Sequence, residues 1–110
     1  MPTSNLHLAE SPTLADLQQY VRDMMRERGF DNSVEQRFMM LFEECGELAK
    51  AARAKAGMKF AADTHTADIE EEAADVLIIF LGLCNLLDVD LEKAFRAKEE
   101  RNKKRTWKKL

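Results

Sequence analysis

The chain has 110 residues, enough for one domain with a modest core. Apolar residues make up 45% and charged residues 34%, with four Gly and two Pro, which favours helix and argues against a β-sandwich. Net charge is −3, two cysteines cannot build a disulfide framework, and the longest apolar run, Val76 to Leu87, is too short to span a bilayer.

Residues 1–12 read as a polar, flexible lead-in without the apolar stretch of a secretory signal. Thr13 with Asp16 makes a capping-box signature for a first helix, Leu14 to about Arg28. Leu14, Leu17, Val21, Met24 and Met25 form its apolar stripe, and Gly29 is its stop signal. Ser33 with Gln36 opens a second helix, which should end near Gly57. Val34, Phe38, Leu41, Cys45, Leu48 and Ala52 recur at three- and four-residue spacing and predict its core stripe.

The third helix is expected to start at Thr64 or Thr66 and to run to about Asp88. Its second half, VLIIFLGLCNLL, is apolar nearly all round, the pattern of a central helix buried on most sides. Cys45 and Cys84 read as small buried hydrophobes of a reducing compartment. Asp90 is a candidate cap for a fourth helix, Leu91 to Lys104, with Leu91, Ala94, Phe95 and Ala97 as its apolar positions. Three short neighbours cover such a third helix poorly, so self-association is expected.

Charge is unevenly spread. Residues 93–110 carry nine Lys/Arg against two Glu, a net +7, which leaves −10 for the remainder. The basic segment is either a solvated helix end or a surface that faces phosphates.

Two acidic clusters carry the chemistry, Glu43-Glu44-Cys45-Gly46-Glu47 and Glu72-Ala73-Ala74-Asp75. Each places two carboxylates at i and i+3, on one helix face. Met40, Glu44, Glu47 and Ala51 form a stripe of their own, while Glu43 points nearly opposite the core. Glu72 and Asp75 begin a stripe that continues through Ile79, Leu83 and Leu86. Glu47 stands roughly 15 Å of helix before Gly57 and Glu72 roughly 12 Å after Thr64, so an antiparallel hairpin brings the pairs nearly level. Four converging carboxylates need cations. No His or Cys is placed to join them, so Mg²⁺ or Mn²⁺ fits better than Zn²⁺. Such ions usually share their remaining positions with water and phosphates, which points to phosphoryl or nucleotidyl chemistry.

These segments resemble the MazG-like all-α nucleoside triphosphate pyrophosphatases. That family's mark is E-E-x-x-E, a spacer, then E-x-x-D. EECGELAKA is similar to its first motif, EEAADVLI to its second, and DLEKAFRAKEERNKKRTW to its closing helix, with Lys98, Asn102 and Arg105 at the familiar positions. The resemblance covers roughly residues 14–107. It implies an all-α, four-helix MazG-like bundle that self-associates as a dimer or tetramer. It also implies Mg²⁺, with Mn²⁺ as the alternative, on Glu44, Glu47, Glu72 and Asp75, with Glu43 supporting metal or water. Lys98 and Arg105 would bind phosphate oxygens, and Asn102 phosphate or sugar. Ile79 stands where several family members carry Tyr, and the Trp residues that some members place around the base have no counterpart here. Phe38, Phe42 and Phe60 are candidates for base stacking, although Phe38 reads as core.

The expected protein is a cytoplasmic, Mg²⁺-dependent nucleoside triphosphate pyrophosphohydrolase. It would release pyrophosphate and a monophosphate, with a helical domain at 13–107 and a basic tail at 108–110. Neither a membrane nor nucleic acid is expected as a partner. One alternative is a phosphoribosyl-ATP pyrophosphohydrolase-like enzyme. The other is a helical interaction module whose acidic cluster is structural and whose basic tail binds nucleic acid.

Overall fold

The computed structural model describes residues 4–110, and among them the regular structure is four helices with no strand. They are α1 (Leu14–Arg28), α2 (Val34–Lys55), α3 (Ile69–Leu86) and α4 (Leu91–Lys103). Met1 to Thr3 of the lead-in lie outside the described residues.

The first two helices start where their capping boxes place them. The Thr13 hydroxyl accepts from the Asp16 N–H at 3.1 Å, and the Asp16 carboxylate accepts from the Thr13 N–H at 2.9 Å. Ser33 and Gln36 repeat the exchange at 3.2 and 2.9 Å. Gly29 ends α1 at φ 69°, and the next N–H, of Phe30, closes back on the Met25 carbonyl at 2.9 Å.

α3 begins later than either threonine suggests. Asp68 caps it, accepting from the Glu70 N–H at 2.9 Å. Aspartate is a stronger cap than threonine, and a start here puts Glu70, Glu71 and Glu72 at the positive end of the helix dipole. The connection from Ala56 is correspondingly longer. It folds back so that the Arg53 guanidinium lies 4.5 Å from the Phe60 ring centre.

α1 and α2 both pack on α3, while α4 packs on α1. Val21, Met24 and Leu81 form the buried cluster, with Leu6 of the lead-in and Leu14, Leu17 and Leu91 against it. Gln18 is buried within this contact and fully used. Its amide donates to Asn85 Oδ1 at 3.1 Å and to the Val89 carbonyl at 2.8 Å, and its Oε1 accepts from the Leu91 N–H at 2.8 Å. Asn85 in turn donates to the Gln18 carbonyl at 3.0 Å. This network ties α1 to the α3–α4 turn, where Asp88 takes a left-handed conformation at φ 56°.

The expected core stripe of α2 is not the one this chain buries. Arg37 and Ala51 are buried, with Met40, Leu41, Glu44 and Leu48 half-buried, while Phe38, Phe42, Cys45 and Ala52 are exposed. The helix turns its Arg37–Met40–Glu44–Ala51 face to its neighbours and leaves the aromatic face outward. Cys45 is therefore an exposed thiol, and Cys84 alone is buried. α3 buries Leu81 to Cys84 but exposes Leu77, Ile78, Phe80, Leu86 and Leu87. On α4 only Leu91 packs inward among the expected apolar positions, and Phe95 is 67% exposed.

Candidate metal centre

Glu44 lies mid-way along α2, and Glu72 and Asp75 lie in the first two turns of α3. Packing of α2 on α3 brings the three together, with one oxygen from each within 4.8 Å of the others. Glu72 is 8% exposed and Asp75 is open to solvent. One Glu72 oxygen, Oε2, is buried with no hydrogen-bond partner.

The electrostatics are those of a site short of positive charge. Burial raises the Glu44 pKa, and a side-chain hydrogen bond with Glu72 raises it further. The negative charges of Asp75, Glu72 and Glu43 act in the same direction. A proton shared by two carboxyls relieves part of the repulsion, and a divalent cation relieves all of it. The donors are all carboxylate oxygens, which suits a hard ion. The unpartnered Glu72 oxygen is a ligand atom that no protein group satisfies. The three residues therefore fit a Mg²⁺-type cation.

Glu47 follows Glu44 by one turn of α2, exposed and outside the three-residue group. Glu43 is also exposed and reaches Glu44 through its field. Lys98 and Asn102 stand on α4, and Arg105 follows its end. Lys98 and Asn102 line a hollow of about 270 Å³ with Leu91, Ala94 and Phe95, which includes no carboxylate of α2 or α3. Arg105 donates to Asn102 Oδ1 at 3.4 Å, and its guanidinium lies 4.9 Å from the Trp107 ring centre. Among the described residues α4 packs on α1, while the acids stand on α2 and α3.

Arg37 is the residue that sequence reading passed over. It is 2% exposed, and its Nε and Nη2 have no partner. Burial lowers its pKa. Its signal was the Met40–Glu44–Ala51 stripe, which reaches Arg37 when extended back by one turn. Arg37, Met40 and Asp75 share a cavity of about 400 Å³.

The sequence model of the MazG nucleotide pyrophosphohydrolase domain matches residues 32–108. The dATP/dGTP diphosphohydrolase of cyanophage S-2L is 34% identical over 95 residues, spanning 86% of this chain and 78% of that protein. The crystal structure of YPJD from Bacillus subtilis has a TM-score of 0.74 at 28% identity, covering 89% of this chain and 100% of that one. The cyanophage S-2L MazG-like pyrophosphohydrolase was solved with dGDP and three catalytic Mn²⁺ ions per active site. It matches with a TM-score of 0.66 at 31% identity, over 93% of this chain and 89% of that one. The motifs, the helical fold and the carboxylate group all agree with this match, and the chain belongs to the MazG nucleotide pyrophosphohydrolase family.

Proposed function

We propose that the chain hydrolyses nucleoside triphosphates, deoxynucleotides among them, to a monophosphate and pyrophosphate, using a divalent cation held by its acidic cluster. The observation that carries this reading is the convergence of Glu44, Glu72 and Asp75 within 4.8 Å around a buried, unpartnered carboxylate oxygen. Glu47, one turn along the same helix, is the fourth ligand, and Glu43 supports the metal or its water. Mg²⁺ or Mn²⁺ bound there would neutralise phosphate charge and lower the pKa of the water that attacks the α-phosphorus. The carboxylates would hold the cation against which the triphosphate is oriented, and one of them would accept the proton that the water releases. The purine nucleotides named for the phage relatives support a deoxynucleotide substrate, whose hydrolysis would serve housekeeping of the nucleotide pool. Two unpaired cysteines fit the reducing cytoplasm.

The working unit is an assembly of copies. One chain exposes 8917 Å², against roughly 6,200 Å² for a compact monomer of its mass. Its radius of gyration is 17.4 Å, against roughly 13 Å for a compact chain of this length. Phe38, Met39, Phe42, Leu77 and Phe80 lie on the uncovered faces of α2 and α3. A second copy on these faces would form a dimer, or a tetramer by repetition. Lys98, Asn102 and Arg105 would then meet phosphate at a site shared between copies.

A nucleotide panel with Mg²⁺, with the products identified, tests the chemistry. Pyrophosphate and monophosphate should appear together, and Glu47→Gln or Asp75→Asn should abolish them. Release of orthophosphate alone, or indifference to both substitutions, would refute the mechanism.

A further inference from the structure

A nucleotide held by its phosphates at the carboxylates needs adjoining space for its nucleoside. The cavity of about 400 Å³ beside Asp75 offers it, within the roughly 300–1,000 Å³ of small-molecule sites. Met40 and Ile79 supply apolar wall, and Phe30, half-exposed, supplies an aromatic rim. Away from the metal centre the cavity reaches Arg37 and Asn32. A Cβ on Gly82 would meet Arg37 Nη1 at 3.4 Å and Met25 Sδ at 3.1 Å, so the guanidinium is closely packed there. Gly82 lies about two helical turns, roughly 10 Å, beyond Asp75.

A buried guanidinium with no acceptor is costly. Within the chain nothing satisfies Arg37 Nε and Nη2, and the cavity that Arg37 lines has room for a ligand with acceptor atoms. The apolar walls suit a flat ring better than a second phosphate. The arginine fork fits two adjacent acceptors. A 6-oxopurine presents O6 and N7 side by side, whereas adenine puts an amino donor in place of O6 and would face donor with donor. Building on the pyrophosphohydrolase reading, we infer that this cavity is the nucleobase subsite and that Arg37 selects 6-oxopurines through O6 and N7.

The test compares kcat/KM for dGTP, dITP and dATP on the native protein, following pyrophosphate. dGTP and dITP should both exceed dATP by roughly ten- to a hundredfold. In Arg37→Met the dGTP-to-dATP ratio should fall toward one. If that variant does not fold, 7-deaza-dGTP on the native protein decides: loss of N7 should lower kcat/KM by about tenfold relative to dGTP. Equal use of dGTP and dATP, an unchanged ratio in a folded Arg37→Met, or indifference to N7 would overturn the inference. Turnover without a 6-oxo preference defeats this subsite alone. Absence of pyrophosphate from every nucleotide defeats the parent reading instead. Calorimetric binding of dGMP against dAMP then decides the subsite: a tighter dGMP supports it and equal affinity refutes it.

Discussion

Glu44 of α2 and Glu72 of α3 place carboxylate oxygens within 4.8 Å of each other, a repulsion that a proton on one of them relieves. A cation at this point takes over the proton's task. Glu72→Gln replaces the proton with a permanent amide donor and removes one negative charge. The variant should be at least as stable as the native protein without metal, and its melting temperature should barely respond to Mg²⁺ or Mn²⁺. Pyrophosphate release should fall by about 100-fold or more, because a direct ligand matters at least as much as its supporting shell. Thermal melts with and without the ion, run beside the turnover assay, check this. A native-sized Mg²⁺ response in Glu72→Gln would remove the residue from the ligand set.

The same pair fixes the sign of a pH effect. Burial first, then the Glu72 hydrogen bond, raises the Glu44 pKa in the folded protein. The unfolded carboxyl titrates at about 4.3. Folded protein therefore binds more protons than unfolded chain above that value, and stability contributed by Glu44 is present below it. That contribution is lost as pH rises through the raised folded pKa. Metal-free protein should show this decline in melting temperature, and saturating Mg²⁺ should remove it. Cation affinity should climb over the same window as the competing proton leaves. Melts in metal-free buffers across the acidic range check the direction. A rise of the Glu44-dependent component, taken as native minus Glu44→Gln, would contradict it.

Gln18 shows how much of the packing rests on one polar side chain. It meets Asn85, Val89 and Leu91 with three hydrogen bonds from a buried position. Gln18→Leu has similar bulk but leaves the Leu91 N–H and the Val89 carbonyl without their partner. An abandoned buried group costs about 1–3 kcal/mol; Val89 and Leu91 are half-buried, so the lower part of the range for the pair, about 2–4 kcal/mol, is expected. Urea unfolding at matched protein concentration measures it, since self-association would shift apparent stability with concentration. The acidic cluster lies elsewhere on α3, so turnover per folded molecule should hold near native.

Helix starts were legible because Thr13 with Asp16 and Ser33 with Gln36 are local, self-contained exchanges. The start of α3 was not, because Thr64, Thr66 and Asp68 compete and dipole and cap strength decide between them. Glu72 and Asp75 were legible as a pair because i,i+3 spacing puts both on one face of α3; Glu44 joins them through the packing of α2 on α3, while Glu47, expected with them, stands outside the three-residue group. Arg37 was not, because a buried cation breaks the pattern that marks a core. The α2 stripe through Phe38, Leu41 and Cys45 reads as core on sequence grounds. In a single chain half of it, Phe38, Cys45 and Ala52, is exposed, since apolar periodicity marks burial without saying which copy provides it.

That outward stripe gives the sharpest test of assembly. Phe42 is 69% exposed and touches Phe38, with ring centres 6.3 Å apart. On an isolated chain, Phe42→Glu would change a surface residue and stay within about 0.5 kcal/mol of native stability. In an assembly built on this face it would place a charge in an apolar interface. Sedimentation should then show the variant as a smaller species, with helix content retained by circular dichroism. Cys45, exposed on the same side of α2, should react slowly with a thiol reagent in the native assembly and quickly in Phe42→Glu. Cys84, whose thiol pKa is raised by burial inside its own chain, should stay protected in both. A native protein that sediments as one chain, with Cys45 freely reactive, would show that the face is not an interface.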